Sequence, residues 1–63
     1  MKGKTKVIVK KKYIADIGNY NVGDTGYIDG YISKGSFTCA IVVFENGSIE
    51  NVPIGNLEAL EEL

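Results

Sequence analysis

The 63-residue chain contains no histidine, no arginine and no tryptophan, and it has a single cysteine, Cys39. Without histidine and with only one thiol, the chain offers neither a zinc centre nor an intrachain disulfide to stabilise a small fold. Nucleophilic catalysis needs a base beside a serine or cysteine, and Cys39 lies in an apolar strand-like segment, so we expect it to be a core residue. We therefore expect no catalytic site, no metal and no cofactor.

Long apolar runs are absent as well. No segment approaches the ~20 apolar residues of a membrane span, and no leader-like apolar region follows the first lysines. We expect a cytoplasmic protein with a reduced thiol and no membrane partner. A chain of this length buries only about 60% of its unfolded surface, so self-association is one interpretation of how it gains stability.

Charge is present but segregated. Six of the seven lysines lie in residues 1–12, which contain no acid, whereas residues 13–63 hold all eight acids and one lysine. A basic start of this kind favours phosphate binding, and it equally serves to keep an edge strand from pairing with other chains. The absence of arginine weakens the phosphate-binding interpretation, because arginine is the residue that most often recognises guanine in nucleic acid. Residues 1–4 are predicted to be a flexible basic start. The candidate phosphate-binding residues are Lys6, Lys10, Lys11 and Lys12.

The remaining pattern is one of short strands separated by turns. The long segment from Tyr13 to Tyr20 has no sustained period and is predicted to be a loop. Gly23 and Gly26 are expected to have positive φ in the turn that follows, and Asn46-Gly47 is a strong hairpin signal. Because these glycines lead into a strand and not a helix, they favour turn chemistry over a phosphate loop. The predicted strands are Lys6–Lys10, Thr25–Ile32, Phe37–Phe44 and Ser48–Val52, with residues 57–63 left as either a last strand or a helical turn.

Alternation in the second strand places its tyrosines together. Ile28 and Ile32 are predicted to share the inner face with Gly30, which leaves Tyr27 and Tyr31 on the outer face. Tyrosines exposed side by side are typical of a protein interface. The candidate partner-binding residues are Tyr13, Tyr20, Tyr27 and Tyr31.

The later part of the chain contains three motifs: Gly-Asp-x-Gly-x-Ile at 23–28, Val-x-Phe-x-Asn-Gly at 42–47, and Val-Pro-Ile-x-x-Leu at 52–57. Together they resemble the SH3-like barrel superfold, and its KOW-type members in particular. The last motif is similar to the strand, 3₁₀ turn and final strand that close these barrels. The resemblance implies one all-β domain, residues 1–63, that forms a small barrel of about five antiparallel strands. Its KOW-type members imply nucleic-acid binding.

Two groups of proteins within this superfold resemble the chain less closely. The small trimethoprim-resistant dihydrofolate reductases carry Val-Gln-Ile-Tyr in the fourth strand, where this chain has Ile49-Glu50-Asn51-Val52. An acid there opposes the negative charges of folate and NADPH, so this enzyme is only a remote alternative. Polyproline-binding SH3 domains use a tryptophan that this chain lacks, although Pro53 stands where their groove proline does.

Our interpretation from the sequence is a non-enzymatic binding module. It docks on a protein partner, or on a second copy of itself as a homo-oligomer, through the tyrosine-bearing sheet face. The alternative is a KOW-like nucleic-acid-binding module that uses the lysines for phosphates and the tyrosines for stacking. The size and acidity of the chain are also typical of accessory proteins of phages and other mobile elements.

Overall fold

The computed structural model describes residues 4–60, in which five antiparallel strands form a single sheet. The order across the sheet is β4-β3-β2-β1-β5, so the sheet is not closed on itself. A short 3₁₀ turn, Ile54–Asn56, separates the last two strands. The predicted all-β class is confirmed, whereas the prediction for residues 1–4 falls mostly outside the described residues. The strands are β1 (Lys6–Val9), β2 (Thr25–Lys34), β3 (Phe37–Phe44), β4 (Ile49–Pro53) and β5 (Leu57–Ala59).

The strand boundaries follow the sequence closely, and residues 57–59 of the tail form a strand, whereas residues 61–63 lie outside the described residues. β3 has the predicted bounds, and β5 forms where the sequence left strand and helical turn open. β2 runs two residues beyond its prediction, because the turn to β3 is only Gly35-Ser36, with φ of +63° at Gly35. The outer strands are short, and β4 ends at Pro53, which cannot donate to a further strand.

The core lies against one face of β3. Ala40, Val42 and Phe44 alternate along this strand and are all buried. Tyr20 closes one side of the core, because its ring stacks on that of Phe44 with 5.4 Å between the centroids and 10° between the planes. The other buried members of this cluster are Val7, Val9 and Val52. Cys39 is also buried, which agrees with the expectation of a core thiol.

A β-bulge in β2 overturns the predicted arrangement of its side chains. Ile28 lies opposite Val42, but Gly30 lies opposite Ile41, so Asp29 is an extra residue in the strand. The extra residue reverses the alternation beyond it. Tyr31 therefore pairs with Ala40 on the core side, and Ile32 pairs with Cys39 on the other side.

The prediction that Tyr27 and Tyr31 share a face is consequently wrong, as is the one that Ile28 and Ile32 share the other. Tyr27 lies opposite Val43, so it is on the other face of the sheet from the buried residues Val42 and Ala40. Asp29 is the bulged residue, and its Oδ1 atom forms an ion pair with the Lys4 ammonium at 2.6 Å. The tyrosines of β2 do not form a continuous strip.

The two glycines of the first turn have different roles. Gly23 has φ of +98°, as predicted, and Gly47 in the hairpin turn has φ of +96°. Gly26 is not a positive-φ residue. It lies in β2, where a Cβ atom would stand 2.5 Å from the Val43 carbonyl oxygen, so it is required for close approach of the strands.

No helix within residues 4–60 is long and apolar enough to cross a membrane.

Candidate functional site

The loop between β1 and β2 is held in one shape by a buried tyrosine and a lysine. The Lys12 ammonium donates to the carbonyl oxygens of Gly18 and Tyr20, at 2.8 and 2.7 Å. It also lies 4.7 Å from the centroid of the Tyr20 ring. The Asp16 carboxylate accepts hydrogen bonds from the Gly18 N–H at 2.8 Å and from the Tyr20 hydroxyl. The loop is thus folded back on its own backbone.

These contacts shift the titration of both acidic groups. The hydrogen bond from Tyr20 lowers the pKa of Asp16, with the Gly18 N–H and the Lys12 charge acting in the same direction against a smaller effect of burial. Burial raises the pKa of Tyr20, and the hydrogen bond to the Asp16 carboxylate raises it further. Asp16 is therefore ionised and Tyr20 neutral across the physiological range.

The loop is also tied to the edge of β4. The Asn19 N–H donates to a carboxylate oxygen of Glu50 at 3.1 Å, and the Ser48 hydroxyl donates to the Asn19 carbonyl at 3.3 Å. These bonds cover part of an otherwise open strand edge. They also fix the loop relative to the sheet.

Two of the predicted phosphate ligands are occupied within the domain. Lys12 is half-buried in the loop contacts described above, and its ammonium is not available to a phosphate. Lys6 is half-buried, with its ammonium 3.7 Å from a Glu45 carboxylate oxygen and 5.8 Å from the centre of the Tyr27 ring. Lys10 and Lys11 are exposed. Of the four predicted lysines, Lys10 and Lys11 are thus the most exposed.

The four predicted tyrosines are not brought together. Tyr20 is only 2% exposed, so it belongs to the core and not to a partner-binding surface. Tyr27 lies beside Lys6, and Tyr31 lines a small cavity on the other face of the sheet with Ile28 and Leu57. Only Tyr13 lies in the cleft described next.

An apolar cleft of about 600 Å³ lies between the long loop, the start of β3 and the 3₁₀ turn. Tyr13 forms the loop side, Phe37 the strand side, and Pro53 and Ile54 the floor where β4 passes into the 3₁₀ turn. Tyr13, Phe37 and Ile54 are each about half exposed, at 56%, 53% and 48%. The remaining lining, which adds polar groups at the rim, consists of Ser36, Thr38 and Gly55. We call this set of seven residues the apolar cleft.

A second cavity of about 330 Å³ continues from the apolar cleft and shares Tyr13, Phe37 and Pro53 with it. Its walls include two oppositely charged side chains, Asp16 and Lys34. The two cavities therefore make one elongated depression, apolar at one end and bearing both charges at the other. Binding sites for ligands and peptides commonly have this composition of apolar walls and a few polar groups.

Phe37 and Ile54 were not identified from the sequence as site residues. Phe37 begins a strand that is apolar on both faces, which favours a central buried position, yet it lies at the exposed end of that strand. Ile54 follows Pro53 in a segment predicted only as a turn. Neither residue carries a local sequence signal, because the site forms only where segments distant in the chain meet.

Within residues 4–60 there is no group of three or more cysteine, aspartate or glutamate side chains that could hold a metal ion. No protein-family model matches the chain, and neither the curated proteins nor the solved structures provide a match. The fold therefore defines the chain only as a small all-β domain of five antiparallel strands, and indications of its function come from its surface.

Proposed function

We propose that this chain is a non-enzymatic, SH3-like module that binds an extended apolar segment of a protein partner in the apolar cleft. The order of elements supports the SH3-like assignment: a long loop after β1, a 3₁₀ turn between β4 and β5, and pairing of β5 with β1. The observation that carries the binding proposal is the clustering of Tyr13, Phe37 and Pro53 around one exposed depression. These three residues come from separate parts of the chain.

The shape of the depression favours an extended occupant. Its two cavities share Tyr13, Phe37 and Pro53, so neighbouring side chains of one extended segment can enter them in succession, the apolar ones in the apolar cleft. A folded helix would instead need a wide groove along its whole length. Half-exposed aromatic rings such as Tyr13 and Phe37 supply contact area with few rotatable bonds, which lowers the entropy lost on binding.

The fixed loop adds to this proposal. Tyr13 begins the segment whose shape is maintained by Lys12, Asp16 and Tyr20, and the Asp16 N–H donates to the Tyr13 carbonyl at 3.0 Å. One wall of the apolar cleft is therefore formed before a partner arrives. Preorganisation of this kind increases affinity because less ordering is needed on binding.

Nucleic-acid binding has less support, because Lys6 and Lys12 are engaged within the domain. Lys10 and Lys11 are left as an exposed pair. Two phosphate contacts give a weak interaction with only a shallow dependence on salt.

The proposal is tested by selecting peptides from a randomised linear decapeptide library displayed on phage. The affinity of a selected peptide is then measured by fluorescence anisotropy for the wild type and for Phe37→Ser. We expect a loss of at least about thirtyfold for Phe37→Ser, the effect of removing a central aromatic contact. Since Phe37 is half exposed, this variant is expected to remain folded.

Ile49→Ser is the matched control. Ile49 is 64% exposed, at the start of β4, and does not line the apolar cleft. Its replacement removes a comparable exposed apolar side chain, so peptide affinity should equal that of the wild type. Equal affinities for all three proteins, or a library that yields no binder, would contradict the proposed function.

A further inference from the structure

Lys34 stands beside the apolar cleft, on the same face of the sheet as Phe37. The two residues are direct partners across the hairpin that joins β2 to β3, and residues paired in this way project their side chains to one face. Phe37 forms the strand side of the apolar cleft, and Lys34 lines the cavity that continues from it. A positive charge is therefore placed next to the aromatic wall of the depression.

The charge of Lys34 is not used by an ion pair in the described part of the chain. Within residues 4–60 the lysines that form ion pairs are Lys4 and Lys6, and neither pair involves Lys34. The residue is exposed at the end of β2. Its ammonium is thus open to a carboxylate that a bound peptide brings.

The acid that faces the same cavity is already engaged inside the loop. Asp16 is the only acid among the described residues that line the two cavities. Its two carboxylate oxygens accept hydrogen bonds from the Gly18 N–H and the Tyr20 hydroxyl. The Lys12 ammonium binds the carbonyl oxygens of those same two residues, so its charge offsets that of Asp16. With Lys12 and Lys34 positive and Asp16 negative, one positive charge remains at this end of the depression.

We propose that the depression binds peptides that carry an acidic side chain close to their apolar residues, and that Lys34 binds this carboxylate. The inference rests on the proposed function, because it names the class of peptide that the apolar cleft binds. An extended chain advances about 3.3 Å per residue, and the two cavities share three wall residues. An acid within about three residues of the apolar side chains is therefore close enough to meet Lys34.

The ion pair determines which peptide binds more than how tightly it binds. An exposed ion pair contributes little to affinity, so the apolar contacts with Tyr13 and Phe37 remain the main source of binding. A peptide with lysine or arginine in place of the acid is disfavoured, because two positive charges then meet. Lys34 thus separates acidic from basic partners that carry the same apolar residues.

The test begins with the peptides selected on the wild type, in which aspartate or glutamate should recur within about three residues of the apolar positions. Fluorescence anisotropy then compares a selected peptide with a copy in which this acid is replaced by its amide. The wild type should bind the acidic form about threefold to fivefold more tightly, the effect of an exposed ion pair. Lys34→Gln should bind both forms equally, and Lys34→Arg, which keeps the charge, should retain the preference.

Lys11→Gln is the matched control, because it removes the same charge from an exposed lysine that lines neither cavity. It should retain the wild-type preference. An amide correlation spectrum of each variant checks that it is folded. Selected peptides without a recurrent acid would overturn the inference. So would a preference that survives Lys34→Gln, or one that Lys11→Gln removes to the same extent.

The same peptide pair separates this inference from the proposed function. Phe37→Ser should weaken the binding of both forms, whereas Lys34→Gln should change only the ratio between them. If Phe37→Ser weakens both and the acid preference survives Lys34→Gln, the role of Lys34 fails and the proposed function stands. If Phe37→Ser binds both forms as tightly as the wild type, the proposed function fails, and the inference fails with it.

Discussion

Asn56 is a polar side chain placed in the interior of the domain. It lies in the 3₁₀ turn and is 0% exposed, and neither polar atom of its amide has a hydrogen-bonding partner among residues 4–60. Its backbone carbonyl is used, since it accepts a 2.8 Å hydrogen bond from the Lys10 N–H. A buried amide without partners lowers stability, because it loses its bonds to water and gains none in return.

We predict that Asn56→Leu raises the free energy of unfolding by about 1–2 kcal/mol, because leucine has the same branching and removes the unpaired amide. Asn56→Asp should instead lower it by more than about 2 kcal/mol, since it buries a charge. Urea denaturation of each variant measures these changes. The control is Asn51→Leu, an exposed site in β4, with an expected change within about 0.5 kcal/mol. A destabilised Asn56→Leu would show that the amide is satisfied or that the site is too small for leucine.

Two residues, Cys39 and Tyr20, show when the burial of a side chain can be predicted from the sequence and when it cannot. The burial of Cys39 was predicted correctly, because it lies inside a strand that is apolar on both faces, whereas Phe37 at the start of the same strand is half exposed. The burial of Tyr20 was not predicted, because an irregular loop has no periodicity that shows which way a tyrosine side chain points. Its burial depends on a long-range stack on Phe44 and a local bond to Asp16.

The loop between β1 and β2 forms one wall of the apolar cleft, so the proposed function depends on its shape. Tyr20 fixes it through the Asp16 carboxylate, so its stability should depend on pH. Asp16 has a lowered pKa in the folded state, and its contribution is present above its unfolded value of about 3.9 and is lost as the pH falls through the lower folded value. Tyr20 has a raised pKa, and its contribution is present below about 10 and is lost at higher pH.

We predict that Tyr20→Phe lowers the free energy of unfolding by about 1–2 kcal/mol at pH 7, the effect of removing a hydrogen bond to a charged group. The difference from the wild type should begin to shrink below about pH 4, where Asp16 of the unfolded chain takes up a proton, and should disappear only once Asp16 is protonated in the folded wild type as well. Urea denaturation at pH 7 and at pH 3 measures both values. Tyr27→Phe, at a 39% exposed tyrosine, is the control and should leave stability unchanged. An equal loss at both pH values would show that the hydroxyl acts independently of the carboxylate.

The strands illustrate what a periodic pattern can and cannot predict. The bounds of β3 and the hairpin at Asn46-Gly47 followed from local composition and turn chemistry alone. The bulge at Asp29 did not, because Thr25–Ile32 alternates without interruption in the sequence and the extra residue appears only in the pairing with β3. One unpaired residue reversed the faces assigned to Tyr31 and Ile32, and with them the predicted tyrosine strip.

At the scale of the whole molecule, the apolar surface is concentrated where three segments distant in sequence meet. The fold brings Tyr13, Phe37 and Ile54 to one side, although 24 residues separate the first from the second in the chain numbering and 17 the second from the third. No local pattern marks such a site, which explains why the sequence indicated a protein-binding module but selected tyrosines on β2. The clustering of lysines at the start of the chain is a plain property of the sequence. Its suggested role is weakened because Lys6 and Lys12 bind within the domain.

We propose that the apolar cleft, and not the basic start, is the binding surface. We would first record a residue-resolved amide correlation spectrum of the wild type at low protein concentration, titrated with the selected peptide and separately with single-stranded oligothymidine at low and moderate salt. The peptide should shift the amides of Ser36, Phe37 and Gly55, while oligothymidine should leave Lys10 and Lys11 unshifted at moderate salt. Peptide shifts that avoid the cleft, or oligothymidine shifts at the lysine pair that persist at moderate salt, would show that the binding surface lies elsewhere.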